Sequence, residues 1–560
     1  MSLTFAFILC CSFSPQAGGD WWLRVPDSVR DAAAQLGASL ADFGTKGVLV
    51  GSPGWMVDGK PEAGFVELLD LMARDQIAWG AGANQGDQFG FDLANVGDVN
   101  GDGVPDVLVG APGEDQELEP DVGGIHLYSG RDASEILHQF GPEAFGRFGH
   151  AVSGAGDVNS DGFDDLIVGA PFTDQGSLAE SGSVWIYSGR TGRLLRRLDG
   201  QQAGDHFGYA VANAGDQDGD GIPDQVVGAP GASRFGRSEC GMVSVYSSAT
   251  GLEIFTVEGS HAGDALGISV AGFSDRDGDG RGEILVGAVG VDHSSWVDAG
   301  AAFLYSLQSR SALQMHFGRS AGSGFGTAVA NIGDVDGDGF EDLGVGAPLE
   351  DGSITSGGAA YLFSGYDGSI LYARSGGFVG NRTHSRFGHD LTGVGLLDGD
   401  SRRDVVIGVP GDPVEYPKRG EGAIYSIGLA NPYLFVENIY FSIGGTQVLD
   451  LSLDFPAEDA GFPYVILMAF EPGLSSFMGL EVGLKLDTLS LRIVQGDAPT
   501  FCHNFYGFLN WDGNAFAEVR TDPVLNHFVG HSFYFVAVSY DPLWLSGRRA
   551  SIPCHVKILP

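Results

Sequence analysis

One short string recurs at a nearly constant spacing along this chain of 560 residues. Val-Gly-Ala-Pro, or a close variant, occurs seven times; its glycines are 59 residues apart in the first five intervals and 62 apart in the last. These glycines are Gly51, Gly110, Gly169, Gly228, Gly287, Gly346 and Gly408. Such a period indicates a repeat protein, in which copies of one small unit stack on each other to bury a continuous core.

Each copy has the same internal order. It opens with Phe-Gly at Phe89-Gly90, Phe148-Gly149, Phe207-Gly208, Phe325-Gly326 and Phe387-Gly388, with Leu266-Gly267 as a variant. A strand of small residues follows, then an Asp-rich loop and three more short strands. Examples of the four strands are Ala210–Asn213, Val107–Gly110, Ser183–Tyr187 and Glu253–Val257. We found no helical period, and 90 glycines supply the turns.

Four antiparallel strands in each of seven repeats predict an all-β fold, a seven-bladed β-propeller of four-stranded blades over residues 18–430. The first repeat lacks the Asp-rich loop, and the last one ends after its third strand, Ala423–Ile427. We therefore expect Trp21–Val25 to supply the missing outer strand, because closure by the other end of the chain removes two exposed sheet edges.

The two ends of the chain differ from the repeats. An apolar stretch at Leu3–Cys11 predicts a signal peptide over residues 1–17. Residues 431–560 alternate in polarity, for example at Leu449–Leu453 and Phe533–Val538, which predicts a β-rich, β-sandwich-like C-terminal domain. No stretch is apolar enough to predict a membrane span.

Only five cysteines occur, without a zinc-binding spacing. Cys502 and Cys554 could pair in an exported protein or remain two buried thiols, and the sequence leaves both open.

The net charge of the chain limits the classes of partner that it can bind. The chain has 30 basic and 72 acidic residues, a net charge of −42. Nucleic acids and anionic membranes bind clustered Lys and Arg, so neither is an expected partner. Acidic residues at this density either keep the surface soluble or hold cations, and their positions favour cations.

Five loops share the pattern Asp-x-Asp/Asn-x-Asp-Gly-x-x-Asp/Glu. Their acidic and amide residues are Asp98, Asn100, Asp102 and Asp106; Asp157, Asn159, Asp161 and Asp165; Asp216, Asp218, Asp220 and Asp224; Asp275, Asp277, Asp279 and Glu283; Asp334, Asp336, Asp338 and Asp342. A degenerate sixth loop, Asp398, Asp400 and Asp404, lacks one ligand and the turn glycine, and whether it binds metal is left open.

This spacing suits Ca²⁺, which takes six to eight oxygen ligands. Oxygens at positions 1, 3, 5 and 9 can face one ion, and glycine at position 6 allows the turn that brings in the carbonyl of position 7. The carbonyls are those of Val104, Phe163, Ile222, Arg281 and Phe340. We predict about five Ca²⁺ sites, structural because they recur in successive repeats.

Phe-Gly, an Asp-rich loop and Val-Gly-Ala-Pro, in that order over about residues 35 to 430, resemble the FG-GAP repeats of integrin α-subunit propellers and their bacterial relatives. The resemblance implies calcium loops on one face, a secreted or cell-surface location, and a role in adhesion or ligand binding. The sequence has no HExxH, P-loop or dinucleotide-binding motif, and we expect that the protein is not an enzyme. Unlike the integrin pattern, in which only some blades bind calcium, five repeats here have the loop.

We expect a protein or glycan ligand on the rim opposite the calcium loops, and a monomer. Trp55, Arg234, Trp296 and Tyr416 occur in the variable loops of that rim, and such residues dominate binding interfaces. The alternative is an extracellular propeller hydrolase or lyase acting on polysaccharide. Gly318–Gly322 matches the G-x-S-x-G string of hydrolases, but that motif needs a strand-to-helix turn, which is not expected between blades.

Overall fold

A computed structural model of the chain describes residues 35–44, 47–69, 79–116, 119–351, 356–374, 385–395 and 403–411 in full, and elsewhere only the backbone of strands. Its secondary structure is all β, as predicted. Among the described residues, none forms a helix of the length and apolarity that crossing a membrane would require.

Six four-stranded antiparallel sheets follow one another along the chain and form six blades of a propeller. Blade 1 consists of β3 Ser39–Asp42, β4 Val48–Ser52, β5 Phe65–Asp70 and β6 Asp75–Ala81. Blade 2 consists of β7 Leu93–Asn95, β8 Val107–Ala111, β9 Gly124–Tyr128 and β10 Glu135–Phe140. Blade 3 consists of β11 Ala151–Gly156, β12 Asp165–Ala170, β13 Ser183–Tyr187 and β14 Leu194–Asp199.

The next three blades repeat this arrangement. Blade 4 consists of β15 Ala210–Gly215, β16 Asp224–Ala229, β17 Met242–Tyr246 and β18 Glu253–Glu258. Blade 5 consists of β19 Leu266–Phe273, β20 Glu283–Ala288, β21 Ala301–Ser306 and β22 Ser311–Phe317. Blade 6 consists of β23 Val329–Gly333, β24 Asp342–Ala347, β25 Ala359–Phe363 and β26 Ile370–Ser375.

A further sheet, here called the closing sheet, combines both ends of the repeat region. Its strand order is β1-β2-β29-β28-β27, formed by β1 Ser12–Pro15, β2 Trp21–Arg24, β27 Leu391–Val394, β28 Asp404–Val409 and β29 Ala423–Ile427. β2 pairs antiparallel with β29, with Trp21 opposite Ser426, so the predicted pairing is confirmed for Trp21–Arg24. Val25 lies outside the described residues. β1 falls inside the predicted signal peptide, which remains a prediction.

Glycine allows neighbouring sheets to meet backbone to backbone. A Cβ built on Gly110 would be 2.1 Å from the carbonyl oxygen of Gly149, the Phe-Gly glycine of the next repeat. The Phe-Gly glycine has a φ of 85°, which favours glycine. The same close approach recurs in the pairs Gly51/Gly90, Gly169/Gly208, Gly228/Gly267, Gly287/Gly326, Gly346/Gly388 and Gly408/Gly37.

The hydrophobic core lies between adjacent sheets. One cluster, for example, joins Leu49 and Val66 of blade 1 to Phe89 and Val109 at blade 2, and a comparable cluster joins blade 6 to Leu391 and Ile407 of the closing sheet. The phenylalanines of the Phe-Gly pairs are among the most deeply buried side chains of the described residues. Each contributes roughly 1.5–3 kcal/mol by burial, which explains why Phe recurs once in most repeats.

Three further sheets follow the repeats. One has the strand order β30-β32-β38-β36, from β30 Leu434–Val436, β32 Val448–Asp454, β36 Cys502–His503 and β38 Asn514–Arg520. A six-stranded sheet contains β31 Tyr440–Ser442, β33 Pro463–Ala469, β37 Tyr506–Phe508, β39 Ser532–Asp541, β40 Ser546–Ala550 and β41 Cys554–Leu559. A hairpin joins β34 Pro472–Phe477 to β35 Leu480–Leu484. The predicted strands at Leu449–Leu453 and Phe533–Val538 are thus confirmed.

Candidate metal centres

The five Asp-rich loops all connect the first strand of a blade to its second, in blades 2 to 6. Because strands alternate in direction, these loops share one rim with the turns between third and fourth strands, which we call the acidic rim. The loops between second and third strands, together with the links from blade to blade, form the other rim, called the far rim. The sixth predicted loop, at Asp398 and Asp400, lies outside the described residues.

The first aspartate of each loop organises the turn. Asp98 accepts hydrogen bonds from the backbone N–H groups of Gly101 (2.7 Å), Asp102 (3.0 Å) and Gly103 (2.7 Å). The corresponding bonds recur at Asp216, Asp275 and Asp334. At Asp157, the donors are the N–H groups of Asp161 and Gly162. Each carboxylate oxygen has more than one lone pair, so these bonds leave acceptor capacity for an ion.

The residue at position 9 is buried and fastens the loop to the blade. Asp106 accepts hydrogen bonds from the N–H groups of Val99 (3.0 Å) and Gly130 (3.0 Å), so it joins the loop to the turn that follows β9. Asp165, Asp224 and Asp342 do the same toward Gly189, Ser248 and Gly365. The residues at position 7 make a different contact. Their backbone N–H groups donate hydrogen bonds to the aspartate at position 5; for example, Val104 donates to Asp102 at 3.0 Å.

In three loops the structure gathers three carboxylates that could hold one cation. In each group, one oxygen from every residue lies within 4.8 Å of the others. The groups are Asp216, Asp218 and Asp224; Asp275, Asp277 and Asp279; Asp334, Asp336 and Asp342. In the first two loops, Asn100 and Asn159 take position 3, and their amide groups donate to Asp106 and Asp165.

The electrostatics of these loops favour a cation. Burial raises the pKa of Asp165 and Asp224 to about 6 and that of Glu283 to about 7, because a charged carboxylate loses its hydration. Burial, with the charge of Asp336, raises the pKa of Asp342 to about 8. The buried Oε1 of Glu283 has no hydrogen-bond partner among the described residues, and a bound ion would supply one. The residues therefore fit an oxygen-ligated divalent cation.

The residues predicted to bind a ligand at the far rim differ in how exposed they are and in what they contact. Trp296 is partly exposed, as expected for a contact residue. Trp55 packs on Phe65 with ring centroids 5.8 Å apart. Arg234 is largely buried, and its guanidinium donates hydrogen bonds to both carboxylate oxygens of Asp205 at 2.9 Å. The guanidinium therefore already has a structural partner. Tyr416 lies outside the described residues.

Other exposed apolar side chains occupy the far rim. Phe235 is 88% exposed. Met56, Phe145, Val297 and Leu349 are also exposed there. These side chains lie in loops of several different repeats, so the far rim offers apolar contact points along its length.

The hydrolase-like string and the inner aspartates have structural explanations. Gly318–Gly322 follows β22 and leads into blade 6 through a turn, without the helix that a nucleophile elbow requires. On the inner strands, Asp92 accepts N–H groups from Leu93 and Val152, and Asp390 from Leu391 and Leu40. Both carboxylates thus hold neighbouring sheets together.

One cluster of potential metal ligands was not predicted from the sequence. Glu114, His126 and His138 meet in blade 2, with ligand atoms within 4.8 Å of one another. Burial acts to raise the pKa of Glu114, but hydrogen bonds and charge from the two histidines outweigh it and lower that pKa. The signal that could have found them is the repeat register, which places both histidines at paired strand positions.

Comparison with known proteins identifies the repeat. The FG-GAP repeat model matches residues 89–128, 148–187 and 325–363. The chain contains FG-GAP repeats. These matches fall on blades 2, 3 and 6 and run from the Phe-Gly pair to the end of the third strand. The predicted resemblance to integrin α-like FG-GAP propellers is confirmed.

Integrin α-subunits are similar to the chain over part of its length. Integrin alpha-V of Gallus gallus is 36% identical over 217 residues, which are 36% of this chain and 20% of that protein. Integrin alpha-5 of Xenopus laevis is 32% identical over 295 residues, 47% of this chain and 27% of that protein. Integrin alpha-IIb of Homo sapiens is 35% identical over 214 residues, 36% and 20% respectively. The chain spans about a fifth to a quarter of these relatives.

Proposed function

We propose that the protein is a secreted or cell-surface adhesion protein, a calcium-stabilised seven-bladed FG-GAP propeller that binds a protein or glycan ligand through its far rim. The observation that carries this proposal is the recurrence of an acidic cluster at the same place in blades 4, 5 and 6. Similarity to integrin α-subunits supports the adhesive role.

Seven blades are supported by seven glycine junctions of one kind. The junction of Gly408 with the carbonyl of Gly37 joins the closing sheet to blade 1 just as Gly110 joins Gly149. In this proposal the closing sheet is the seventh blade, residues 18–430 form the ring, and residues 431–560 form a β-sandwich-like domain. The signal peptide at residues 1–17 delivers the protein to the cell exterior.

We assign about five Ca²⁺ ions to the loops of blades 2 to 6, with the side chains at positions 1, 3, 5 and 9 and the carbonyl at position 7 as ligands. Ca²⁺ is favoured over Mg²⁺ because the loops offer many oxygens in a flexible turn, whereas Mg²⁺ demands a smaller octahedral shell. Bound ions would neutralise the clustered carboxylates and brace the acidic rim. Each site contributes about 2.7 kcal/mol when calcium exceeds its dissociation constant 100-fold.

A thermal melt tests the calcium assignment. We expect Tm to fall when calcium is chelated and to recover with Ca²⁺ but not with Mg²⁺. The double variant Asp334→Asn/Asp336→Asn should lose part of this calcium-dependent shift, because it disables one loop. Glu119→Gln, which removes an exposed carboxylate outside the loops, is the matched control and should keep the whole shift. An unchanged Tm on chelation would refute structural calcium.

The far rim is tested by ligand binding. Panels of extracellular matrix proteins and glycans should yield a calcium-dependent ligand for the monomeric protein. Phe235→Asp should abolish that binding, because it charges the most exposed large apolar side chain among the described residues of the rim. Leu252→Asp is the control, since Leu252 is 68% exposed but follows the third strand at the acidic rim. Equal loss of binding in both variants would argue against the far rim.

A further inference from the structure

Two histidines and a glutamate form a compact group on the outer half of blade 2. His126 on β9 and His138 on β10 are direct cross-strand partners, and their rings stack with centroids 4.1 Å apart. Glu114, in the far-rim loop after β8, reaches both rings with different oxygens. Its Oε1 lies 3.3 Å from Nε2 of His126, and its Oε2 lies 3.1 Å from Nε2 of His138.

His126 is oriented as a metal ligand would be. Its side chain is only 11% exposed. The Nδ1 atom is hydrogen-bonded to Oε1 of Glu135 at 2.8 Å, which fixes the ring and directs Nε2 toward Glu114. Nε2 faces Oε1 of Glu114 at 3.3 Å in a poorly aligned contact, and no other described residue pairs with it. A carboxylate behind a histidine, with the opposite nitrogen directed at further ligand atoms, is the arrangement that supports metal-bound histidines in proteins.

The backbone makes room for the Glu114 carboxylate. A Cβ built on Gly124, the first residue of β9, would lie 1.9 Å from Oε2 of Glu114 and 3.6 Å from Nε2 of His138. Any side chain at this position would therefore displace the carboxylate from the histidines. The absence of a side chain at Gly124 thus leaves the space in which the three ligand atoms meet.

The other repeats provide an internal comparison, because they have the same backbone without this chemistry. The pair that corresponds to His126 and His138 is Trp185 with Arg197 in blade 3, Ser244 with Thr256 in blade 4, Phe303 with Met315 in blade 5, and Tyr361 with Ala373 in blade 6. Packing between third and fourth strands therefore does not require histidine. Two histidines beside a glutamate are particular to blade 2 among these five blades.

We propose that Glu114, His126 and His138 bind Zn²⁺. Imidazole nitrogen and carboxylate oxygen are zinc ligands, with bonds of about 2.0–2.2 Å in a tetrahedral shell. Such a shell places its ligand atoms roughly 3.3 Å apart, close to the two nitrogen–oxygen distances in this cluster. The stacked rings must tilt for their lone pairs to converge on one ion, and His138, 31% exposed at the outer strand, has room to do so.

The ion would fasten a far-rim loop to two strands. Glu114 begins the loop that returns at Gly123, whose N–H donates to the Glu114 carbonyl at 2.9 Å. Zinc held by Glu114 and both histidines therefore fixes this loop against β9 and β10. With three protein ligands, the fourth position is filled by water, as in other three-ligand zinc sites.

The test is zinc binding to the full chain in saturating Ca²⁺, which keeps the Asp-rich loops filled. We expect one equivalent of Zn²⁺ in competition with a chromophoric chelator. Co²⁺ at the same site should give the visible absorption of a four-coordinate ion. His138→Ala and Gly124→Ala should each weaken zinc binding at least tenfold, and Glu135→Gln, which removes the support behind His126, roughly tenfold or more.

His261→Asn is the matched control, because that histidine is 84% exposed and lies between blades 4 and 5. It should bind zinc as the unmodified chain does. Thermal melts show which variants remain folded, and His138→Ala on the outer strand is the variant expected to fold normally. The proposal is overturned if the unmodified chain takes up no stoichiometric zinc. It is equally overturned if folded His138→Ala binds as tightly as His261→Asn.

Discussion

Oδ2 of Asp390 accepts a 2.7 Å hydrogen bond from the backbone N–H of Leu40, 350 residues earlier in the chain. The bond joins the residue that precedes β27 of the closing sheet to β3 of blade 1. Asp92 makes the same bond to Val152 across the junction of blades 2 and 3. Two carboxylates with raised pKa values thus hold neighbouring inner strands together.

We predict that the contribution of Asp390 to stability falls as pH rises from about 6.5 to 8. Burial raises the pKa of Asp390 to about 7, and the charge of Asp92 adds to it, so the folded state retains a proton that the unfolded chain releases. Stability from such a group is present at low pH and is lost as pH passes the folded pKa. The loss should be on the order of 1 kcal/mol, measured by denaturant unfolding in calcium.

The pH range of this measurement matters because buried histidines change the stability in the opposite direction as pH rises. Burial lowers the pKa of His150 and His316 to about 4 and also lowers that of His389, so their contribution increases with pH up to about 6.5. Glu283 and Asp342, with pKa values of about 7 and about 8, titrate over the same range, so the contribution of Asp390 is isolated by comparison with a variant that lacks its carboxylate. Asp390→Asn should lose less stability, or gain more, than the unmodified chain between pH 6.5 and 8; identical slopes would mean that Asp390 retains no proton in the folded state.

A second prediction concerns the buried ion pair of Arg234 and Asp205. Arg234→Ala should destabilise the protein by about 3–5 kcal/mol, because it leaves a buried carboxylate without its partner. The control is Arg197→Ala, which breaks the exposed pair with Asp199 and should cost less than about 1 kcal/mol. Urea unfolding measures both variants, and similar small effects would show that the Arg234 pair is not effectively buried.

A third prediction separates steric from conformational roles of glycine. Gly169→Ala should cost more than about 4 kcal/mol or prevent folding, because its Cβ would sit 2.0 Å from the carbonyl oxygen of Gly208. Gly204→Ala should cost only about 1–2 kcal/mol, since Gly204 has a φ of 73° but open space around it. Comparable melting temperatures for the two variants would contradict the close junction.

The fourth prediction tests closure of the ring. A chain that begins at residue 25 lacks β2 and exposes the edge of β29, so its Tm should be lower than that of a chain beginning at residue 18. The longer variant lacks β1 but keeps β2, and serves as the control. Equal melting temperatures would mean that the pairing of β2 with β29 adds no stability.

Repeat spacing was enough to predict the blades, because Phe-Gly, the Asp-rich loop and Val-Gly-Ala-Pro occur at fixed positions relative to the strands. Ser183–Tyr187 was predicted with the bounds of β13, and the Asp-rich loops lie where the first and second strands meet. The gathering of Asp334, Asp336 and Asp342 follows from their spacing within one loop, a local property that sequence conveys directly.

Contacts between strands were harder to predict. His126 and His138 are 12 residues apart, and only the register of β9 and β10 makes them neighbours. Arg234 was expected to face a ligand, but its partner Asp205 precedes it by 29 residues on the link between blades 3 and 4. Such pairings depend on three-dimensional register, which composition and local spacing do not specify.

The glycine junctions have a consequence for how this architecture can change. Because neighbouring sheets meet through main-chain atoms at Gly110 and its counterparts, the fit between them is independent of most side chains. Whole repeats can therefore be duplicated, exchanged or reordered in a gene while the mating surfaces remain compatible. One repeat can acquire two histidines and a glutamate while its neighbours keep other residues at those positions. A new binding site can therefore evolve in one blade without changing the backbone contacts that join the blades.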